Sequence, residues 1–396
     1  MKQKRILILS LAYYPKFVAG AEVAIKEITD RFSNTEATFD MVTLRLNSKL
    51  PKFEKIGNVN VYRIGWTKNN PSAKELVQFP LYLNKVLFPV MAMWKFWRLD
   101  IKNHYDGIWA MMSYMGMAAV FIRMFARKIQ FILTLQEGDS FEHILGRNRI
   151  KPFYPIIKKA FREAAVVQVI SSYLGNWAKD MGSVDVVVIP NGVDMNKFKV
   201  GDNQSKMSEI RKKHGIGEYE KIVVTTSRLV SKNGVDILIG AMKFLPEDVK
   251  LLIVGDGPLE EDLRSQVANN DLHSRVIFAG FRDQVEIPVY LASADVFCRP
   301  SRSEGQGISF IEAMASGLPV VTTAVGGITD FIIDKETGLF AERDNSEDVA
   351  RKILILLRDE TTRQNIIENA KKLVVEKYDW TGIVARLKSE VFSKFD

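Results

Sequence analysis

Residues 298–323 read CRPSRSEGQGISFIEAMASGLPVVTT, and this stretch decides the fold. Residues 294–300 form a predicted buried strand, which 303–307 cannot continue because Gly305 and Gly307 break the pattern and free the backbone. A helix is predicted over 308–316, closed by Gly317 at the C-cap, and Pro319 precedes the apolar pair Val320 and Val321 that opens the next strand. Strand, glycine turn, helix and strand make one unit of a parallel sheet wrapped by helices. The same unit holds two glutamates, Glu304 on the turn and Glu312 on the helix. Glu312 sits among Ile308, Phe310, Ile311, Ala313, Met314 and Ala315, where an unpaired charge is costly, so it needs donors.

The pattern repeats outward in both directions. Predicted strands are 6–9, 41–43, 59–63, 107–111, 131–135, 166–170 and 186–189 in the first half, then 222–227, 250–254, 276–279, 296–299, 320–322 and 338–340. The polar, turn-rich stretch PNGVDMNKFKVGDNQSK (190–206) parts the two series, so each half is expected to form its own sheet. A length of 396 residues fits two such domains. The lone cysteine, Cys298, can form no internal disulfide, and a reducing, cytoplasmic setting follows. The basic, apolar start MKQKRILILSLAYYPK lacks a cleavage pattern and reads as the first strand. The longest uncharged run, 108–122, is short of the roughly 18 residues a membrane span needs.

Charge divides unevenly. Residues 1–200 carry 29 Lys and Arg against 16 Asp and Glu, a balance of +13, and the remainder carries 26 against 31, or −5. A basic half suits an anionic partner, and a generally basic solvated surface accounts for it equally well. No nucleic-acid recognition motif accompanies it.

Open parallel sheets bind ligands at the carboxyl ends of their strands, in a cleft expected here between the halves. Gly20 and Glu22 follow the first strand within VAGAE; Arg228 and Lys232 follow KIVVTTS; the run from Gly255 to Pro258 follows LLIV; Glu304 follows ADVFCRP. Arg228 offers a forked donor and Lys232 a point charge, the two usual ways of holding phosphate oxygens. A carboxylate such as Glu312 accepts paired hydroxyls, as on a ribose, and Glu304 suits a second polyol. Each alone has a plainer reading: Arg228 as a surface ion-pair former, Gly20 and Glu22 as a turn with a first-turn acid, Glu304 as a solvated loop acid, and VGDGPLEEDL, which has Glu260 in place of the third glycine of a dinucleotide fingerprint, as a tight strand-to-helix turn. Together they fit a nucleotide diphosphate carrying a sugar.

These segments resemble the donor domain of the retaining glycosyltransferases of family 4, which have the GT-B fold of two Rossmann-like, doubly wound domains facing across a cleft. SEGQGISFIEAMASGLPVV resembles the family's Glu-x7-Glu signature, SRLVSKNGVDILIGA its phosphate-binding segment, and LLIVGDGPLEEDL, VIFAGFRD, LASADVFCRPS and VGGITDFIIDKETGLF its further elements. The likeness is close from about Val166 onward and looser before, through VAGAE and IPNGVD. It implies an acceptor-binding domain over 1–200, a donor domain over 201–378, and a final helix over 379–396 returning to the first domain, with Trp380, Ile383, Val384, Leu387 and Val391 as its apolar face.

The resemblance also implies roles. Glu304 would contact the donor sugar, with Gly305, Gln306, Gly307 and Ile308 lining it, and Glu312 the ribose hydroxyls. Arg228 and Lys232 would hold the diphosphate, Gly20 would complete the phosphate site from the other domain, and Phe281 and Arg282 would lie near the base. The activity implied is a retaining hexosyltransferase using a UDP-, GDP- or ADP-sugar with no metal and no other cofactor, since cationic side chains stabilise the leaving phosphate. It would build cell-surface polysaccharide or glycolipid on a glycan or lipid-linked acceptor. A sugar-nucleotide epimerase of GT-B fold and a non-catalytic nucleotide-sugar-binding module are the alternatives.

Several positions depart from the family pattern. Asn233 stands where a lysine usually precedes the glycine, Ala19 replaces a frequent glycine, Gln306 replaces the usual aromatic, Asp330 replaces a glutamate, and Gln136, Glu137 and Gly138 stand where a histidine is frequent. In KVLFPVMAMWKFWRLDIKNH, Trp94, Phe96 and Trp97 alternate with Lys95, Arg98 and Lys102. Lys151, Lys158, Lys159 and Arg162 with Phe153, Tyr154 and Phe161 form a second such stretch. The first reads as a core helix with snorkelling cations, or as an anchor for peripheral binding to the inner face of an anionic membrane, and the second adds to the case for a lipid-linked acceptor.

Overall fold

The computed structural model describes residues 3–15, 19–71, 75–126, 128–139, 151–198 and 204–395. Val18 of the VAGAE segment and residues 199–203 of the polar linker lie outside them. The chain forms two compact units, one of Met1–Glu137, Phe141–Pro190 and Trp380–Asp396, the other of Gly138–Ser140 and Asn191–Asp379. The division falls at Asn191, at the start of the polar stretch 190–206. Asn191 is tied by its backbone to Gln306, and Val193 bridges to Asp379, which fastens the start of this stretch to the second unit.

The first unit is built on eight strands: β1 (Lys4–Leu9), β2 (Ala37–Leu44), β3 (Phe53–Ile56), β4 (Val59–Ile64), β5 (Gly107–Met111), β6 (Gln130–Leu135), β7 (Val166–Val169) and β8 (Val186–Val188). Their spatial order is β3-β4-β2-β1-β5-β6-β7-β8, and every pairing is parallel except β3 with β4. Strand β3 is the one the apolar pattern does not announce. Its FEKI sequence is half exposed along an edge, and the two-residue turn Gly57-Asn58, with Gly57 at φ +54°, folds it back on β4. Both faces of the sheet are covered, which is why its strands read as continuous apolar runs. Leu7 and Leu9 face one core with Phe88, Phe96, Ala118 and Phe161, while Ile6 and Ile8 face another with Ile25, Trp380, Ile383, Val384, Leu387 and Val391.

The second unit holds β9 (Lys221–Thr226), β10 (Val249–Val254), β11 (Val276–Gly280), β12 (Val296–Arg299), β13 (Val320–Thr323) and β14 (Leu339–Ala341), in the spatial order β11-β10-β9-β12-β13-β14, all parallel. The chain therefore builds outward from β9 in one direction and from β12 in the other. The crevice between the carboxyl ends of those two neighbours is the switch point, where open α/β sheets bind ligands. Here too the layers alternate, with Val223, Leu251 and Cys298 on one face and Ile222, Leu252 and Phe297 on the other. Cys298 is a free, fully buried thiol, pushed far up by burial.

Candidate nucleotide-sugar site

The switch point of the second unit gathers most of the residues singled out in the sequence. Helix Ile308–Ala315 starts after Gly307, whose φ of +87° suits glycine alone: a Cβ there would lie 2.5 Å from the Phe310 ring and 3.1 Å from Arg299 Nη2. This tight entry turns the start of the helix, and Glu304 just before it, toward the end of β12.

Arg299 occupies the centre. Buried at the end of β12, its guanidinium donates from Nη2 to Glu304 Oε2 at 2.5 Å, from Nη1 to Ser309 Oγ at 2.7 Å and from Nε to Ser301 Oγ at 3.2 Å, and stacks 4.2 Å from the Phe310 ring centroid. Glu304 Oε1 also accepts the Gly305 N–H at 3.0 Å. Burial lowers the Arg299 guanidinium from its usual value, opposed by the charges of Glu304 and Glu312. Glu312 has only that electrostatic support: burial pushes its carboxyl up to about 7, and Arg299 pulls it back. The donors that Glu312 calls for are thus incompletely supplied by the protein, and a hydroxylated ligand would supply the rest. Arg299 went unremarked in the sequence. The signal was there, an arginine closing the otherwise apolar strand VFCR two turns from a pair of carboxylates.

The facing half comes from β9. Arg228 is exposed just beyond it, with no side-chain partner among the described residues, while its carbonyl accepts from Asn233 Nδ2 at 2.7 Å. Asn233, at the family's lysine position, thus closes the short helix Ser231–Asn233 that carries Lys232. Lys232 is half-buried, with Nζ 3.3 Å from the Asp139 carboxylate. The buried hydroxyls of Thr225, Thr226 and Ser227 find no partner among the described residues, an unusual cluster of unmet polar groups beside Arg228.

Arg302, also unremarked in the sequence, fastens the two halves together. Its backbone N–H reaches the Lys232 carbonyl at 2.6 Å, its fork grips Asp236 at 2.9 and 2.6 Å, and Nη1 reaches the Ser231 carbonyl at 2.7 Å. The glycines of VGDGP serve packing: a Cβ on Gly255 would fall 2.0 Å from the Ser227 carbonyl, and one on Gly257 2.4 Å from that of Leu229. Gln306 is buried and exchanges two hydrogen bonds with the Asn191 backbone, at 2.8 and 2.9 Å. Phe281 is exposed beyond β11, and Arg282 bonds to Tyr290 Oη at 2.7 Å and the Ala279 carbonyl at 2.6 Å.

In the first unit, Gly20 opens helix Gly20–Thr29, and the Glu22 carboxylate accepts the Ala19 N–H at 2.8 Å. A Cβ at Gly20 would meet nothing within 4 Å, so packing does not demand glycine there. Glu137, beside the position where the family has histidine, is buried and accepts the Ser113 and Gln136 N–H groups at 2.6 and 2.9 Å, capping helix Ser113–Phe125. Burial raises its carboxyl against those donors.

The family described as Glycosyltransferase Family 4 matches residues 18–197, and that described as Glycosyl transferases group 1 matches 206–373. This chain belongs to the group 1 glycosyltransferases. N-acetyl-alpha-D-glucosaminyl L-malate synthase of Bacillus anthracis is 28% identical over 389 residues, 96% of this chain and 95% of that protein. The GDP-mannose-dependent alpha-(1-6)-phosphatidylinositol monomannoside mannosyltransferase of Mycobacterium tuberculosis is 30% identical over 257 residues, 62% of this chain and 66% of that one. HepE of Anabaena, solved in complex with UDP and glucose, superposes with a TM-score of 0.76 at 24% identity, over 98% of this chain and all of that one, which fixes the GT-B fold. For a glycosyltransferase of this fold the epimerase and binding-module alternatives give way to sugar transfer.

Proposed function

We propose that this glycosyltransferase moves a hexose, with retention and without a bound metal, from a UDP-, GDP- or ADP-sugar to a glycan or lipid-linked acceptor in cell-surface polysaccharide or glycolipid synthesis. One observation carries the reading: two cationic side chains, Arg228 exposed and Lys232 beside Asp139, meet at the switch point of one sheet with two carboxylates, Glu304 held by the buried Arg299 and Glu312 within reach of its charge. Arg228 and Lys232 would grip the diphosphate and stabilise the charge that develops as the bond to the sugar breaks, the work a metal does elsewhere. Glu312 would accept the ribose hydroxyls, while Glu304, held by Arg299, would accept those of the sugar. The open space at Gly20 suits close approach of a phosphate to backbone N–H groups at a helix start. On this reading the second unit binds donor, with Phe281 and Arg282 toward the base, and the first binds acceptor. The names of the relatives, one acting with GDP-mannose on a phosphatidylinositol mannoside and one holding UDP and glucose, support a nucleotide-sugar donor and a lipid-linked acceptor. We place the enzyme in the cytoplasm, peripherally at the inner face of the membrane.

The test is a thermal-shift screen of the purified chain against UDP-, GDP- and ADP-sugars in the presence of a chelator, then turnover with the donor that binds. A ligand at a hundred times its Kd raises stability by about 2.7 kcal/mol. The anomeric proton coupling of the product reports retention. No shift with any donor, or turnover lost with the chelator, would overturn the corresponding part.

A further inference from the structure

Helix Leu81–Asn103 is apolar on two sides. Its inner stripe, with Leu81, Phe88, Ala92 and Phe96, is buried in the core of the first unit, as a helix covering a sheet requires. Its outer stripe, Leu87, Val90, Trp94, Trp97 and Ile101, recurs at spacings of three and four and is exposed, Trp94 by 63% and Ile101 by 78%. The neighbouring helix Ser113–Phe125 extends the patch at its end, where the Phe125 ring meets Trp97 edge-on at 6.2 Å and Met124 is exposed. Contiguous exposed apolar surface of this kind marks an interaction site.

We propose that this outer face docks on an anionic lipid bilayer. The choice of lipid rests on the lipid-linked acceptor read above, and charge decides it against a protein partner of the same kind. Arg98 and Lys102 are exposed beside the stripe, Arg98 lying 5.9 Å from the Trp94 ring centroid, and Lys128 follows Phe125. The acid within the helix, Asp100, is turned back to accept the Tyr105 N–H at 2.8 Å. A second copy laid against this seam would set Arg98 and Lys102 near cations of the same kind, whereas lipid phosphates answer those charges. Helix Tyr154–Glu163 packs against Ser113–Phe125 with Phe161 inside and Arg162 exposed, adding one charge of the same sign, while Lys159 lies 3.7 Å from the Glu163 carboxylate. The helix lies on the bilayer rather than through it, since no helix among the described residues is long and apolar enough to cross. Of the aromatic and basic residues noticed in the sequence, Phe96 and Lys95 are not part of this face: Phe96 is core, and Lys95 sits 4.6 Å over the Tyr62 ring.

Flotation of the full chain with phosphatidylglycerol-containing vesicles, and with pure phosphatidylcholine vesicles, tests this. Wild type should float with the anionic vesicles at low salt, with a blue shift of tryptophan emission. Trp94→Ser with Trp97→Ser should lower vesicle affinity at least about tenfold, and Arg98→Gln with Lys102→Gln should abolish the preference for anionic lipid. Unchanged circular dichroism and nucleotide binding confirm that the variants fold. Wild type remaining unbound to both vesicles, or a dimer in sedimentation that the tryptophan substitutions abolish, overturns the proposal. Nucleotide binding measured without vesicles is independent, so loss of the transferase reading and loss of the docking surface register separately.

Discussion

Helices Ile308–Ala315 and Leu81–Asn103 break the rule of burial in opposite directions. The first carries the half-buried carboxyl of Glu312 among buried apolar side chains, and the second shows tryptophans to water. Each exception costs stability on its own and makes sense only with a ligand, a polyol in one case and lipid in the other. The difference lies in how the exception is held. The charge of Glu312 depends on one arginine that also bonds Glu304, Ser301 and Ser309, whereas the exposed tryptophans touch only surface neighbours, Trp94 near Arg98 and Trp97 against the Phe125 ring. Changes in the first region should therefore disturb both fold and chemistry, and changes in the second should leave the fold alone.

The largest effect is expected at Arg299. Arg299→Met strands two carboxylates and should cost about 3–5 kcal/mol in urea unfolding of the second unit, with Arg299→Lys losing less; a small loss for the methionine variant would show that the array is not held as described. Next, Glu304→Gln should lower kcat by about 10²–10³-fold with little change in nucleotide affinity. Glu312→Gln should do the reverse, weakening nucleotide binding about tenfold at pH 8, and equal losses in both variants would sink the division of roles.

The pH dependence sharpens the same contrast. A carboxyl raised from 4.5 to about 7 favours the protonated folded state, so stability is fully present below 4.5 and declines as pH rises through 7. Ribose hydroxyls favour the ionised form, so nucleotide affinity should rise over the same window while stability falls. Glu312→Gln should flatten both profiles, as calorimetry at several pH values would show. The smallest effect is expected on the other helix, where Trp94→Ser with Trp97→Ser should shift unfolding by no more than about 0.5 kcal/mol.

Much of this was legible in the chain. Two series of apolar strands with glycine turns between them specify two sheets, because strands buried on both faces leave no polar alternation to misread. Edge strand β3 escaped because one face is exposed and the other only partly covered, through Glu54 and Ile56, and only Gly57-Asn58 marks its turn. The positions of Glu304, Arg228 and Lys232 after strands, and of Glu312 on the helix that follows, were readable in the sequence. Arg299 showed only as an arginine closing an apolar strand and Arg302 not at all, because both act through other side chains, and which carboxylate an arginine grips depends on strand order rather than spacing. Gln306 and Arg282 show the converse: their polar atoms are engaged by Asn191 and by Tyr290 and Ala279.

The segment Trp380–Phe395 closes the core of the first unit. Phe392 packs edge-on against Phe32, Phe39 and Trp109, and the Phe395 ring fills the space a side chain at Gly107 would take, 2.2 Å from its Cβ position. On the ribosome this first-made sheet is therefore the last to be completed. Its strands emerge early and must wait, one face uncovered, until the whole second unit has been translated. During that interval Phe32, Phe39 and Trp109 lack the cover that Phe392 gives them in the finished protein, and apolar surface left open in this way is what makes a partly folded chain prone to aggregate.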